Sequence, residues 1–370
     1  MTIKVPSESE RVMSDFGVYV HVPFCAHRCD YCAFATYADR DHLMDDYVEA
    51  VIEEIELAKA NNLTIATSVF FGGGTPSRLR AEQLLAILYA IPRSDDAEVT
   101  VECNPEDAQL ERLLTYRRGG VTRMSFGVQS TQPAVLADLG RRHGTMAHRE
   151  VSDAVTAAGF GTWNMDLIVG SRAESLGDVA RTLEDLLGLE HPPPHISCYA
   201  LTAEPATPLG MDPARHPDED ETADAYDLVG ATLAASGYEW EEISNWARPG
   251  HECRHNHVYW DQGDYVGFGS AAHSHRRGRR YWNVRTPERY IALVGSGQSP
   301  LAGEEFLDEL TRRFERESLA LRTRRGVPVE AFDSLEEIAH LVRVREGQVT
   351  LKESGRLLAN QVIVRLRSGG

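Results

Sequence analysis

Three cysteines lie close together in the segment Cys25-Ala-His-Arg-Cys29-Asp-Tyr-Cys32, whereas Cys103, Cys198 and Cys253 are scattered singly. The spacing C-x3-C-x2-C puts three thiolates on one short loop, where they can ligate an iron–sulfur cluster. Three thiolates leave one iron of a four-iron cluster without a protein ligand. Such an open position can bind a substrate, as it does at catalytic zinc sites.

Other roles for these cysteines have less support. A zinc site would need a fourth ligand, and although His21 and His27 are near, no second C-x2-C pair follows at zinc-finger spacing. A disulfide framework is uncommon in a long chain without a secretory signal, because cytosolic thiols stay reduced. We therefore predict a [4Fe-4S] cluster on the three clustered cysteines, and core positions for Cys103 and Cys198.

The elements that must position this loop are short β-type runs alternating with amphipathic helices, from about residue 17 to 200. Such alternation is typical of a parallel α/β sheet or barrel. The first strand, Gly17-Val-Tyr-Val-His-Val22, leads directly into the cysteine loop. About six strand–helix units are present, fewer than the eight of a closed TIM barrel. The sequence thus predicts an α/β fold with a partial (β/α)6 barrel, whose site lies at the carboxyl ends of the strands.

Four segments are predicted along the chain. Residues 1–15 form an N-terminal tail, and residues 16–236 form the core barrel. Residues 237–300, rich in aromatic residues, His and Gly, form a cap, and residues 301–370 form a small helical, winged-helix-like domain.

Composition excludes several functional classes. The chain has 38 Lys and Arg against 56 Asp and Glu, a formal net charge of −18, which disfavours nucleic acid as a partner. No hydrophobic run approaches a membrane span, and the polar start contains no signal or transit peptide. We expect a globular cytoplasmic protein.

Further motifs occur near the predicted strand ends: Tyr19-Val-His-Val-Pro-Phe-Cys25, Phe70-Phe-Gly-Gly-Gly-Thr-Pro76, Met124-Ser-Phe-Gly-Val-Gln129 and Met165-Asp-Leu-Ile168. Together with the cysteine spacing, they resemble the radical S-adenosylmethionine (radical SAM) superfamily, in its coproporphyrinogen dehydrogenase-like branch. The resemblance runs from about residue 17 to the C-terminus. It implies that the free iron binds S-adenosylmethionine (SAM), which one electron cleaves to a 5′-deoxyadenosyl radical.

The resemblance also implies cofactor contacts at the strand ends. Gly73 and Gly74 let the backbone approach the methionine amino group, and Glu102 hydrogen-bonds ribose hydroxyls. The other implied contacts are Tyr19, Tyr31, Thr75, Gln129, Arg141 and Asp166. Structural alternatives exist for these residues: a helix cap, a solvated charge, a partner for a buried backbone group, or plain core aromatics. No catalytic residue is assigned.

Two departures separate this chain from the oxygen-independent coproporphyrinogen oxidases of the branch. Those enzymes have a further cysteine where this chain has Phe34, and a longer N-terminal arm. Both departures resemble the HemW-type haem chaperones, which carry an H-N-x-x-Y-W motif, here His255-Asn-His-Val-Tyr-Trp260. The resemblance implies haem contacts by His255, Asn256, Tyr259 and Trp260. An imidazole suits the iron, and the two aromatic rings suit the porphyrin.

Neighbouring residues are competing candidates for haem contact. His273, His275 and Cys253 are alternative iron ligands, and the four arginines of Arg276-Arg-Gly-Arg-Arg280 are candidate partners for the propionates. An ordinary cap packed on the barrel and a solvated arginine loop would explain the same residues.

The favoured function is a haem chaperone that binds haem, the cluster and SAM and passes haem to an acceptor protein. An electron donor for the cluster and peripheral contact with membrane haem proteins are expected. The alternatives are an oxygen-independent coproporphyrinogen III oxidase and a radical enzyme acting on another substrate. One loop departs from the family, because Ser171-Arg-Ala-Glu174 replaces a Leu-Pro-Gly-like turn, and this predicts a different loop shape.

Overall fold

The computed structural model describes residues 15–367. Its strands are β1 (Phe16–Val22), β2 (Ala66–Gly73), β3 (Arg93–Cys103), β4 (Arg123–Gln129), β5 (Thr162–Val169), β6 (His195–Ala200), β7 (Glu239–Glu242), β8 (Asn245–Ala247), β9 (Asp264–Phe268), β10 (His273–Arg276), β11 (Arg279–Asn283), β12 (Leu301–Phe306), β13 (Val327–Pro328), β14 (Val342–Arg345) and β15 (Gln348–Leu351).

Its α-helices are α1 (Met44–Ala60), α2 (Ala81–Ala90), α3 (Leu110–Arg118), α4 (Pro133–Asp138), α5 (Ala147–Ala157), α6 (Leu176–Leu187), α7 (Glu219–Ala235), α8 (Arg254–Trp260), α9 (Pro287–Gly295), α10 (Glu309–Leu321), α11 (Glu353–Arg356) and α12 (Ala359–Ile363). None of the helices among residues 15–367 combines the length and apolar character needed to cross a membrane.

Twelve strands form one sheet in the order β12-β11-β10-β9-β1-β2-β3-β4-β5-β6-β8-β7. Strands β1 to β6 are parallel and neighbour one another in chain order, with helices between them. This confirms the predicted α/β class and the partial barrel of six β/α units.

Side chains alternate between the two faces of the sheet along β1, and its valines lie on the face that packs against the helices. Val18, Val20 and Val22 are fully buried and share a core with the apolar face of α1. Burying a valine side chain stabilises a fold by roughly 1.5–3 kcal/mol. The intervening Tyr19 and His21 therefore point to the opposite face of the sheet, the interior of the partial barrel.

Residues 237–300, for which the sequence predicts a cap, add strands to both edges of the sheet. Strand β8 pairs antiparallel with β6, and β9 pairs parallel with β1. Between them the chain crosses through α8, which contacts β1 and β2. Because His255 of α8 lies against Gly17 and Ser68, at the beginnings of these strands, α8 closes the amino end of the partial barrel.

The C-terminal residues form a second, smaller unit. Strands β13, β15 and β14 make an antiparallel sheet, and a separate apolar cluster includes Leu321, Val349 and Val362. This unit is fastened to the barrel by a bridge between Glu242 and Thr323. The four-segment division stays a prediction, and residues 1–14 of its N-terminal tail lie outside the described residues.

Candidate cofactor site

A cavity of about 430 Å³ opens at the carboxyl ends of the parallel strands. Parallel strands end at the same edge of a sheet, so side chains distant in sequence meet there. A volume of this size is typical of small-molecule sites. Among the residues that line it are Cys25, Cys29, Tyr31, Cys32, Gly73, Gly74, Thr75, Glu102, Gln129, Arg141 and Asp166.

The cysteine loop is fastened at both ends. The Cys25 N–H donates to the Tyr37 carbonyl (3.0 Å), and the Tyr37 N–H donates to the Pro23 carbonyl (2.8 Å). Within the loop, the Cys32 N–H donates to the Cys29 carbonyl (3.2 Å). Cys25 is buried, whereas Cys29 and Cys32 are half-buried. The backbone therefore presents three thiols to one cavity.

Two side chains donate hydrogen bonds to the sulfur atoms. The Thr75 hydroxyl donates to Cys25 Sγ (3.6 Å), and the Arg141 guanidinium donates to Cys29 Sγ (3.4 Å). Burial raises the pKa of the Cys25 thiol to about 11 and also raises the pKa of Cys32. Both thiols therefore keep their protons until a metal displaces them. The added donors favour the thiolate forms that a cluster requires.

The three cysteines supply the donor set of an iron–sulfur cluster. All three are free thiols and line one cavity. A cubane binds each of its thiolates through a different iron, so three thiols on one loop fit such a cluster.

Arg141 also braces the cavity wall through the backbone and an amide. Its guanidinium donates to the Gly127 carbonyl (2.6 Å) and to Asn104 Oδ1 (3.1 Å), and Asn104 Nδ2 donates to the Thr75 hydroxyl (3.2 Å). Sequence reasoning missed Asn104. Its place directly after the carboxyl end of β3 is the signal that could have found it.

Two half-buried carboxyl groups also line the cavity, Glu102 and Asp166. Burial and the charge of Asp166 raise the pKa of Glu102 to about 8, although Glu102 accepts the Gly73 N–H (3.2 Å). Burial also raises the pKa of Asp166, which accepts hydrogen bonds from Asn164 Nδ2 (2.8 Å) and the Ser125 hydroxyl (3.3 Å). At neutral pH, Glu102 thus carries a proton and can donate to a ligand.

Gln129 has two features of a ligand contact. Its φ of 67° lies in the left-handed region, which costs free energy for a residue with a Cβ. Its Oε1 is buried and has no hydrogen-bond partner among the described residues. Buried polar atoms without partners are rare in native structures. A polar ligand in the cavity would satisfy this oxygen, so the site fits a SAM-like cofactor.

Tyr19 does not line the cavity. Its ring stacks on Phe70, and its hydroxyl donates to His21 Nδ1 (3.0 Å). His21 Nε2 in turn donates to the Ala35 carbonyl in the cysteine loop (3.0 Å). Tyr19 therefore acts on the loop through His21, and its direct contact with the cofactor stays a prediction.

The H-N-x-x-Y-W motif forms α8, at the end of the partial barrel opposite the cavity. His255 is fully buried, and its Nδ1 and Nε2 are hydrogen-bonded to the Ser68 hydroxyl (2.9 Å) and the Tyr259 hydroxyl (2.8 Å). Haem iron could reach His255 only after one of these bonds breaks. Asn256 and Trp260 are half-buried. Haem contact by this motif stays a prediction.

The arginines predicted to meet the propionates are largely engaged with the protein. Arg279 forms an ion pair with Glu304 (2.7 Å), and Arg280 forms one with Glu305 (3.0 Å). Arg276 lies over the Phe16 ring, 5.8 Å from its centroid. Only Arg277 of the four is exposed, so these arginines do not form one open cationic patch.

The alternative iron ligands differ in accessibility. Cys253 is buried with its thiol against Glu98, and His275 is buried with Nδ1 hydrogen-bonded to the Gly263 carbonyl (2.9 Å). His273 is exposed. The isolated Cys103 and Cys198 lie in the core, as predicted.

The loop after β5 is held by two side-chain hydrogen bonds, one within the loop and one to α4. The Gly170 N–H donates to Glu174 Oε2 (2.9 Å), and the Ser171 hydroxyl donates to Asp138 (2.6 Å). Burial raises the pKa of Glu174 to about 7. Glu174 thus holds the turn that follows β5.

Comparisons with known proteins agree with this geometry. Residues 19–186 match the Radical SAM superfamily. The chain is 37% identical to the haem chaperone HemW of Mycobacterium tuberculosis (strain H37Rv) over 98% of this chain and 97% of that one. The HemW of Bacillus subtilis (strain 168) is 32% identical over 94% and 97% of the two chains, and that of Escherichia coli (strain K12) is 36% identical over 70% and 69%.

A solved structure shares the fold. Coproporphyrinogen III oxidase (HemN) from Escherichia coli, a radical SAM enzyme, superposes with a TM-score of 0.82 over 95% of this chain and 89% of that one, at 23% identity. At this identity the likeness concerns the fold alone.

Proposed function

The chain belongs to the HemW family of the radical SAM superfamily, and we propose that it is a haem chaperone that binds haem, a [4Fe-4S] cluster and SAM and transfers the haem to an acceptor protein. The observation that carries the proposal is the single cavity lined by the three cysteines and by Gln129, whose buried Oε1 lacks a partner among residues 15–367. Phe34, where the oxidases have a further cysteine, is 68% exposed at the same cavity.

In this proposal, different residues of the cavity would hold the cluster and SAM. Cys25, Cys29 and Cys32 would ligate the cluster, with Thr75 and Arg141 donating to two of the sulfurs. The bound cluster and SAM would supply one-electron chemistry. The protein's part is to position these groups and to limit their access to water.

The remaining walls would hold SAM. Protonated Glu102 donates a hydrogen bond to a ligand hydroxyl, and Gln129 Oε1 accepts one from a ligand N–H. Asp166 is oriented by Asn164 and Ser125, and so offers an acceptor in a defined place. Hydrogen bonds hold Glu102 and Asp166 in place before the ligand arrives, which reduces the entropy cost of binding.

Partners follow from the proposed function. A haem-accepting protein and an electron donor for the cluster are required, and the proposal includes a cytoplasmic location with peripheral contact to membrane haem proteins. The net charge of −18 disfavours nucleic acid.

The test is anaerobic reconstitution with iron and sulfide, followed by haem titration and a coproporphyrinogen assay on the same sample. We expect one haem per chain, transfer to an apo-haem protein, and no coproporphyrinogen turnover. Failure to bind haem, or turnover of coproporphyrinogen, would contradict the proposal.

A matched pair of cysteine variants tests the cluster ligands. Cys29→Ala should lose the visible absorption and the iron of the reconstituted cluster, because it removes one of three thiolates. Cys198→Ala changes a buried core thiol and should keep both. Equal iron content in the two variants would refute the ligand assignment.

A further inference from the structure

We propose that the exposed imidazole of His273 binds the haem iron and that Trp282 orients this imidazole, on the open face of β10, β11 and β12 beside the cysteine loop. This inference rests on the proposed haem chaperone function and deepens it. It assigns the cargo to a site separate from the H-N-x-x-Y-W motif.

The first step is the accessibility of the imidazoles. His273 is exposed, and in the described chain its ring nitrogens have no hydrogen-bond partner. His255, in contrast, is fully buried, and both of its nitrogens are hydrogen-bonded. Iron needs a nitrogen lone pair that can be approached from solvent. His273 meets this need without rearrangement of the fold.

The second step is the neighbouring aromatic surface. His273 and Trp282 are directly opposite each other in the antiparallel pair of β10 and β11, and their rings are stacked with centroids 5.7 Å apart and planes 22° apart. Packing of the indole against the imidazole fixes the orientation of the proposed iron ligand.

The third step is the glycine beneath the indole. Gly303 of β12 is the register partner of Trp282, and a Cβ at this position would lie 2.6 Å from Trp282 Cζ2. No side chain larger than hydrogen fits there without moving the indole. The glycine therefore lets the indole lie against β12, and it provides a test that leaves both His273 and Trp282 unchanged.

The fourth step is the position next to the cluster site. A Cβ at Gly267 would lie 2.3 Å from the His273 carbonyl oxygen, and Gly267 pairs with Tyr19 of β1, whose hydroxyl donates to His21. His21 in turn donates to the Ala35 carbonyl of the cysteine loop. The Tyr37 hydroxyl, from the same loop, donates to the Arg285 carbonyl just beyond β11 (3.4 Å). Haem on His273 would thus lie beside the loop that carries the cluster, so a change in that loop can reach it.

The charge around His273 suits the cargo. Arg285 is exposed and lies just beyond β11, three residues after Trp282. It offers a cation for a haem propionate, while Arg280 is paired with Glu305.

The experiment is a haemin titration of the full-length protein, with resonance Raman and electron paramagnetic resonance spectra to report the iron ligand. His273→Ala should weaken haem binding about tenfold or more, the loss expected when the bond from the protein to the iron is removed. It should also abolish the iron–histidine signature. His340→Ala, which removes an exposed histidine of the C-terminal unit, should behave as the wild type.

Two further variants separate the ligand from its support. Trp282→Leu and Gly303→Val should weaken binding severalfold but keep the iron–histidine signature, because the imidazole remains. Circular dichroism and cluster iron content should match the wild type for His273→Ala, since the side chain is exposed.

The outcomes distinguish this inference from the proposed function. Wild-type affinity and an unchanged iron–histidine signature in His273→Ala would overturn the His273 site, as would loss of that signature in His255→Ala alone. A wild-type protein that takes up no haem would overturn the haem chaperone proposal itself.

Discussion

At the scale of single residues, Gln129 combines a backbone conformation that lowers the stability of the fold with a side chain placed to contact a ligand. Its φ of 67° would suit glycine, yet the chain places there a side chain whose Oε1 is buried without a partner in the described structure. Strained residues of this kind persist where a ligand uses them. The backbone conformation of Gln129 therefore lowers the stability of the ligand-free fold.

The strain at Gln129 predicts opposite effects of one substitution. Gln129→Gly should stabilise the ligand-free protein by up to about 1 kcal/mol, because glycine adopts positive φ without penalty. The same change should weaken SAM binding, because the amide oxygen is lost. Chemical denaturation and equilibrium dialysis measure the two effects.

Gly161→Ala is the control for the denaturation, because a Cβ added at that glycine would have no atom within 4 Å and its φ is not positive. Unchanged SAM affinity in Gln129→Gly would contradict the assignment of Gln129 to the cofactor.

At the scale of elements, the turn after β2 depends on Gly73. Its φ is 111°, and a Cβ there would lie 2.4 Å from the His21 ring. We expect Gly73→Ala to destabilise the protein by about 2–3 kcal/mol, through backbone strain and displacement of His21. Because His21 supports the cysteine loop, cluster content should also fall. Thermal unfolding and iron analysis measure both, and a stable, fully loaded variant would refute this role.

Helix α8 depends on a carboxylate from another element. Glu98 of β3 accepts the backbone N–H groups of His255 (3.0 Å) and Arg254 (3.2 Å), at the start of the helix. Removing a cap of this kind costs about 0.5–2 kcal/mol. Glu98→Ala should therefore lower the free energy of unfolding by that amount, whereas Glu150→Ala, at an exposed position in the first turn of α5, should not. Equal stabilities would show that Glu98 does not hold α8.

The strands and helices also show which parts of the fold could be predicted from the sequence. Strand–helix alternation was enough to predict the partial barrel, whereas the resemblance to the radical SAM superfamily assigned Glu102, Gln129 and Asp166 to the cofactor. The structure brings these three residues and Cys25 to one cavity. Local pattern did not show that β9 pairs with β1, which draws α8 across the amino end of the strands and buries His255. Such long-range pairing is absent from any single segment.

The ion pairs of the arginines could not be predicted from the sequence for the same reason. Four arginines close together in sequence suggest a free patch, but the partners of Arg279 and Arg280 come from β12, more than twenty residues later in the chain. Only the register of β11 on β12 brings Glu305 directly opposite Arg280 and places Glu304 diagonal to Arg279.

At the scale of the whole molecule, buried histidines and buried carboxyl groups act on stability in opposite pH ranges. Burial lowers the pKa of His195 and His255 to about 3 and that of His21 and His143 to about 4. Between these values and 6.5, the unfolded chain binds protons that the fold does not. The histidines therefore stabilise the fold above pH 6.5, and this contribution is lost as the pH falls.

The carboxyl groups have the opposite sign. Burial raises the pKa of Glu102 to about 8 and that of Glu174 and Glu242 to about 7. Between 4.5 and these values, the fold binds protons that the unfolded chain has released. As the pH rises across that range, each such group lowers the free energy of unfolding by about 1.4 kcal/mol per pH unit.

Between about pH 4.5 and 6.5, the reference pKa values of glutamate and histidine, the four histidines outweigh the three carboxyl groups, so the stability still rises with pH by about 1.4 kcal/mol per unit. Above about pH 6.5 these histidines are neutral in both states, and the carboxyl groups lower the stability as the pH rises. We therefore expect the protein without cofactors to be most stable at about pH 6.5, with its melting temperature falling on both sides. Thermal unfolding from pH 3 to about 9 tests this. Glu174→Gln should reduce the alkaline decline because glutamine does not titrate, and Glu150→Gln, at an exposed position, should leave it unchanged. A melting temperature that rises from about pH 6.5 to 8 would show that these carboxyl groups are ionised in the fold.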